Sequence, residues 1–156
     1  AEICRHVEDH LLREILLSCK DGRAAGNMGM THVCAAVTAL ALDDPQETPQ
    51  WLDWLFSPGF PCWGSNPGGV PWLMLQGIDA DGMGGECGHY GLIWTRRSIE
   101  LAEILAACPR YSRYDMVRLF PKLKQCFFVE DRLTCLGAGP PVTSRRVAQR
   151  TGSSAS

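Results

Sequence analysis

Several groups of side chains in this sequence have types and spacings suited to chemistry. Asp79-Ala80-Asp81-Gly82-Met83-Gly84-Gly85-Glu86-Cys87-Gly88-His89-Tyr90 gathers carboxylates, an imidazole and a phenol in one glycine-rich stretch. Its opening is like a calcium loop, but an EF-hand wants an acid where Met83 stands and Glu where Tyr90 stands. A turn held by Asp side chains is the simpler reading. His6 and His10 lie four residues apart, as metal ligands on one helix face can. No third ligand is near them, so a solvated pair is expected and no metal or other cofactor is assigned. Trp51, Trp54, Trp63, Trp72 and Trp94 could floor a sugar groove. Trp51 and Trp54 read as core, whereas Trp63, in a Pro/Gly-rich loop, is the better candidate for a substrate contact. Arg96 and Arg97 can meet either an acidic glycan or water.

Eight cysteines are scattered along the chain with no CxxC pair, which argues against a zinc ribbon or a thioredoxin-type site. Several fall in apolar helical runs, where Cys behaves as a small hydrophobe. Mostly buried free thiols are expected, with one or two disulfides as the alternative.

The elements that must position these groups are helical. Ile3, Val7, Leu11, Leu12, Ile15, Leu16 and Cys19 recur at three- and four-residue spacing, which predicts a first helix with one buried face. Asn27 can cap a second helix running to about Ala41, and that helix is apolar nearly all round, as a helix buried between neighbours is. Thr48-Pro49 reads as N-cap and first position of a third, with Trp51, Trp54 and Leu55 as its apolar stripe. Residues 57–71 form a Pro/Gly-rich loop, and residues 71–76 are a short helix or a buried strand. A long helix is predicted from about Tyr90 to Ala107, closed by Pro109, and another from about Arg113 to Val129, interrupted at Pro121. No segment alternates with a two-residue period. The expected fold is all-α, built of antiparallel helices.

At 156 residues the chain suffices for one domain with a real core. Hydrophobic residues make up 46% and charged residues 21%, which excludes a disordered chain. Residues 137–156 carry Arg145, Arg146 and Arg150 without an acid, leaving 12 basic and 17 acidic residues elsewhere. That balance, with no concentrated basic face, excludes a nucleic-acid binder. No apolar run is long enough to span a bilayer, so no membrane partner is expected. The tail 137–156 has only Val142 and Val147 as large apolar residues and is expected to be disordered or foreign sequence. Residues 2–19 are amphipathic from the outset, with no initiating Met and no capping segment. This predicts that residues 1–136 are part of a domain truncated at both ends.

Two stretches carry a resemblance. Gly26-Asn27-Met28-Gly29-Met30-Thr31-His32 opens a buried helix ending in Leu42-Asp43-Asp44-Pro45, and the 79–90 stretch runs into a helix with Trp94. Over about residues 20–136 this order resembles the heparinase II/III-like and alginate-lyase group of polysaccharide lyases. The resemblance implies antiparallel helix pairs forming part of an incomplete α/α toroid, and a C-terminal β-sandwich missing from this chain. It implies a periplasmic or secreted enzyme whose partner is an acidic polysaccharide. It also implies Asn27 and Tyr90 as catalytic residues, with His89 as a rival to Tyr90 and Glu86 near the substrate. A uronate lyase removes the proton alpha to the sugar's carboxylate and expels the 4-linked oxygen. A neutral amide such as Asn27 stabilises the charge that develops on the carboxylate, while Tyr90 serves as base, acid or both.

The sequence departs from the family at Glu86-Cys87-Gly88-His89-Tyr90, where relatives read like E-x-S-P-x-Y. Each residue also has a purely structural reading. Asn27 is a good helix cap, Tyr90 can pack at a helix start, and His32, five positions after Asn27, suits the core or a supporting role. Two other functions are open: an inverting glycoside hydrolase using Asp81 and Glu86, and a non-catalytic helical module binding glycan or protein.

Overall fold

The computed structural model describes residues 2–24, 26–60, 68–86 and 89–135, and over these the protein is all-α. Helix α1 (Glu2–Val7) passes through a π-helical turn (Glu8–Leu12) into α2 (Arg13–Lys20) without leaving helical geometry. Helices α3 (Met30–Leu42) and α4 (Glu47–Leu55) follow, then α5 (Val70–Trp72) continuing into a second π turn (Leu73–Gly77). The longest helix, α6 (His89–Ala106), precedes a 3-10 segment (Pro109–Tyr114) and the short helices α7 (Met116–Leu119), α8 (Leu123–Cys126) and α9 (Val129–Cys135). Helix α3 packs against α2, α4 and α6, and α6 packs against the 3-10 segment, α7 and α8. Leu16, Leu52, Leu55, Leu73, Met74 and Leu101 meet at the centre and are fully buried.

The first helix does not bury the face its periodicity predicts. Leu16 and Cys19 are in the core, with Leu12 and Ile15 against it, but Ile3, Val7 and Leu11 face outward and Ile3 is 80% exposed. Helix α1 buries nothing. Sequence spacing registers a stripe, and only the neighbours decide how far along a helix that stripe is covered.

Two expected caps are replaced. Helix α3 starts at Met30, not at Asn27: Gly29, with φ of 89°, occupies the cap position and donates its N–H to His32 Nδ1 at 3.2 Å. Asn27 contributes its carbonyl, which accepts from Met30 N–H at 3.0 Å. At α4 the capping side chain is Asp44, whose Oδ1 accepts from Gln46 and Glu47 N–H at 2.8 and 2.7 Å. Thr48 is turned inward instead, fully buried, and donates to the Ala39 carbonyl at 2.8 Å. In both cases an alternative acceptor already satisfies the orphan N–H groups of the first turn.

Residues 71–76 are helical. The helix expected over 113–129 is interrupted at Pro121, as expected, and a second time at Asp115. Asp115 leaves helical geometry to cap α7, accepting from Val117 and Arg118 N–H at 2.9 and 3.2 Å, and Phe120 leaves helical geometry before Pro121. On α4 Leu55 is buried as expected and Leu52 joins it, while Trp51 and Trp54 are half-buried against the core and meet edge to face. The expected tail 137–156 lies outside the described residues.

Candidate functional site

The glycine-rich stretch at 79–86 is shaped by backbone bonds before any side chain enters. Asp79 N–H donates to the Met83 carbonyl at 2.7 Å, Gly82 N–H to the Asp79 carbonyl at 3.0 Å, and Gly85 N–H to the Gly77 carbonyl at 2.8 Å. Asp81 Oδ1 accepts from Met83 N–H at 3.0 Å, which is the Asp-stabilised turn expected there. Among the described residues no group of three His, Cys, Asp or Glu side chains is placed to hold a metal ion.

Helix α6 clamps this loop. Thr95, buried in the helix, accepts from Gly84 N–H at 3.2 Å, and its hydroxyl lies 2.9 Å from the Gly82 carbonyl and 3.1 Å from the Gly91 carbonyl. A side chain at Gly82 (φ 93°) would fall 2.4 Å from the Gln125 carbonyl carbon, and one at Gly84 would fall 2.5 Å from the Gly91 carbonyl oxygen. These glycines therefore let the loop lie flat between α6 and α8. Part of the pattern that resembles a lyase motif is here a packing requirement.

Asn27 and the start of α3 approach the same helix. A Cβ at Gly29 would sit 2.5 Å from Arg97 Cβ and 3.6 Å from the Trp94 carbonyl oxygen, so the α3 N-terminus touches α6 near its middle. Asn27 is half-buried two residues before that contact. Tyr90 lies in the first turn of α6 and is 54% exposed. His89 is exposed beside it, the two ring centroids 6.5 Å apart. Glu86 is exposed at the loop's end. Trp63 lies outside the described residues.

The two arginines are already engaged. Arg96 Nε is 2.6 Å from Glu130 Oε1, tying α6 to α9, and Arg97 pairs with Glu100 one turn on. An acidic ligand would have to compete with both carboxylates.

His32, expected in the core or in a supporting role, is buried on α3. Burial pushes its pKa down to about 4, against a smaller upward pull from the Gly68 backbone. Nδ1 accepts from Gly29 N–H, so the proton of the neutral ring is on Nε2. Nε2 makes no hydrogen bond of good geometry among the described residues, and the Gly68 attraction is too weak to offset burial. The imidazole is a fixed neutral prop for the α3 N-terminus.

The sequence reading passed over a second polar cluster. Tyr114 donates to Asp53 Oδ1 at 2.7 Å and lies 3.1 Å from the Pro49 carbonyl, while Arg113 bonds both Asp53 oxygens at 2.9 Å. Burial, then the Asp53 hydrogen bond, pushes the Tyr114 phenol up to about 12, so it remains protonated. No local spacing connects residues 60 positions apart. The cluster fastens the 3-10 segment to α4.

Of the described cysteines, Cys19 and Cys126 are buried thiols, Cys108 is intermediate, and Cys4 and Cys34 are exposed. The expectation of mostly buried thiols holds for Cys19 and Cys126 and fails for Cys4 and Cys34. No helix among the described residues is long and apolar enough to cross a membrane.

Compared with family models, with curated proteins and with solved structures, the chain matches none.

Proposed function

We propose that this chain carries part of the substrate site of a secreted or periplasmic polysaccharide lyase, acting on a uronate-containing glycan, with Asn27 and Tyr90 as its catalytic pair. The observation that supports this reading is the contact of Gly29 with Trp94 and Arg97, which brings the start of α3 onto α6. Tyr90 lies seven residues before Arg97 on the same helix, about 10 Å at 1.5 Å per residue. That span is within reach of a short saccharide. Neither side chain is sealed in the core: Asn27 is half-buried and Tyr90 exposed.

In this reading the Asn27 amide donates to the sugar carboxylate and stabilises the charge that grows as the alpha proton leaves. Tyr90 handles the protons, taking the alpha proton or returning one to the 4-linked oxygen as its bond to carbon breaks. His89, on the adjacent position, is the competing proton carrier. The toroid arrangement and the C-terminal β-sandwich of the same polypeptide belong to this proposal.

The test is incubation of the chain with a panel of uronate polysaccharides, read by ultraviolet absorbance of unsaturated product and by calorimetric binding of uronate oligosaccharides. The expected result is saturable binding weakened by Asn27→Ala, with any absorbance increase abolished by Tyr90→Phe. New reducing ends without absorbance would replace this reading with hydrolysis by Asp81 and Glu86. Absence of binding, or binding indifferent to both substitutions, would overturn it.

A further inference from the structure

Cys19 and Cys34 form a juxtaposition that the proposed glycan site does not use. Cys19 lies on the inward face of α2 and is 6% exposed, and Cys34 lies on α3, which packs directly against α2. Cys34 is exposed to solvent, and both are free thiols. The Cys34 sulfur sits within hydrogen-bonding reach of the Cys19 thiol. The pair thus combines a sulfur that a small oxidant can reach with a second sulfur that it cannot. We propose that Cys34 and Cys19 are a peroxide-reactive modification site, in which Cys34 is oxidised first and Cys19 resolves it to a disulfide joining α2 to α3.

The steps balance. The Cys34 thiolate attacks one oxygen of hydrogen peroxide, the O–O bond breaks, and a sulfenic acid forms with release of hydroxide, protonated to water. The Cys19 sulfur, giving up its proton, then attacks the Cys34 sulfur and expels the hydroxyl as a second water. Two thiols lose two electrons and two protons, and peroxide is reduced to two waters. Burial is the main reason the Cys19 proton is held tightly, its pKa pushed up to about 12, with the neighbouring Cys34 adding to it. Burial therefore keeps resolution slow. The sulfenic acid accumulates before the disulfide.

The experiment treats the reduced full chain with hydrogen peroxide, quenches at intervals, and maps the products by mass spectrometry without reduction. A 1,3-dione is added in parallel to trap sulfenic acid. The expected result is early dione labelling at Cys34, followed by a peptide pair linked through Cys19 and Cys34. In Cys19→Ala the label at Cys34 persists, and in Cys34→Ser both products disappear. Should Cys19→Ala unfold the chain, wild-type kinetics decide alone, since the trap must then reduce disulfide yield in step with its labelling of Cys34. A principal disulfide using any other cysteine, or Cys34 passing to sulfinic acid without linkage to Cys19, would overturn the proposal.

Discussion

Acidification should destabilise this protein through His32, and the size of the effect follows from its burial. The ring is held neutral with a folded pKa of about 4, against an ordinary value of 6.5. Its folded pKa is the lower one, so between these values the unfolded chain binds more protons than the folded one, and stability rises with pH. The contribution is fully present above 6.5 and is lost as pH falls from 6.5 towards 4. At about 1.4 kcal/mol per pH unit the full loss is about 3 kcal/mol, a large share of the 5–15 kcal/mol typical of a domain. Carboxylates titrate in part of the same range, so the quantity to measure is a difference. Urea unfolding at closely spaced pH values from 4 to 7.5 would be run on the wild type and on His32→Asn. Asn can offer an oxygen to Gly29 N–H much as Nδ1 offers nitrogen, but it does not titrate. The wild type should lose about 3 kcal/mol more than the variant over this range, whatever their offset at neutral pH. Parallel pH profiles would refute the account of His32 as a sealed, neutral prop.

Three further perturbations test the packing. Thr95→Val keeps the volume but leaves Gly84 N–H and the Gly82 carbonyl without their buried partner; a loss of about 1–3 kcal/mol is expected by denaturant unfolding. Gly82→Ala combines a left-handed backbone with a contact at 2.4 Å to backbone of Gln125. It should cost about 2–4 kcal/mol, the sum of about 1–2 for the backbone and about 1–3 for overpacking, trimmed for partial relaxation. Ile3→Gln should change stability by less than about 0.5 kcal/mol, whereas Leu16→Ala on the same continuous helix should cost about 2–5 kcal/mol. Comparable losses from both would mean that the outward stripe is covered.

The helical class was legible from the residues alone. Three- and four-residue spacing, Pro109 after the long helix and the absence of any two-residue alternation each restrict the backbone locally, and local restriction can be read one segment at a time. Helix α6 accordingly runs His89–Ala106, within a residue of the expected limits. Three things depended on which segments meet. The caps were the first: Asn27 and Thr48 are both good capping residues, but Gly29 with His32 and Asp44 took those places, since α3 starts beyond Asn27 and Thr48 is turned into the core. Coverage was the second: Ile3, Val7 and Leu11 share the spacing of a core stripe, yet among the described residues all three stay exposed, and spacing contains no information about neighbours. The third was the character of the candidate site. The pattern from Asp79 to Tyr90 suggested chemistry, but Gly82 and Gly84 proved to be spacers pressed against α8 and α6. The polar residues that organise it, Thr95 and His32, are ordinary in sequence and become distinctive only once burial removes water and leaves each with the bonds its neighbours can offer.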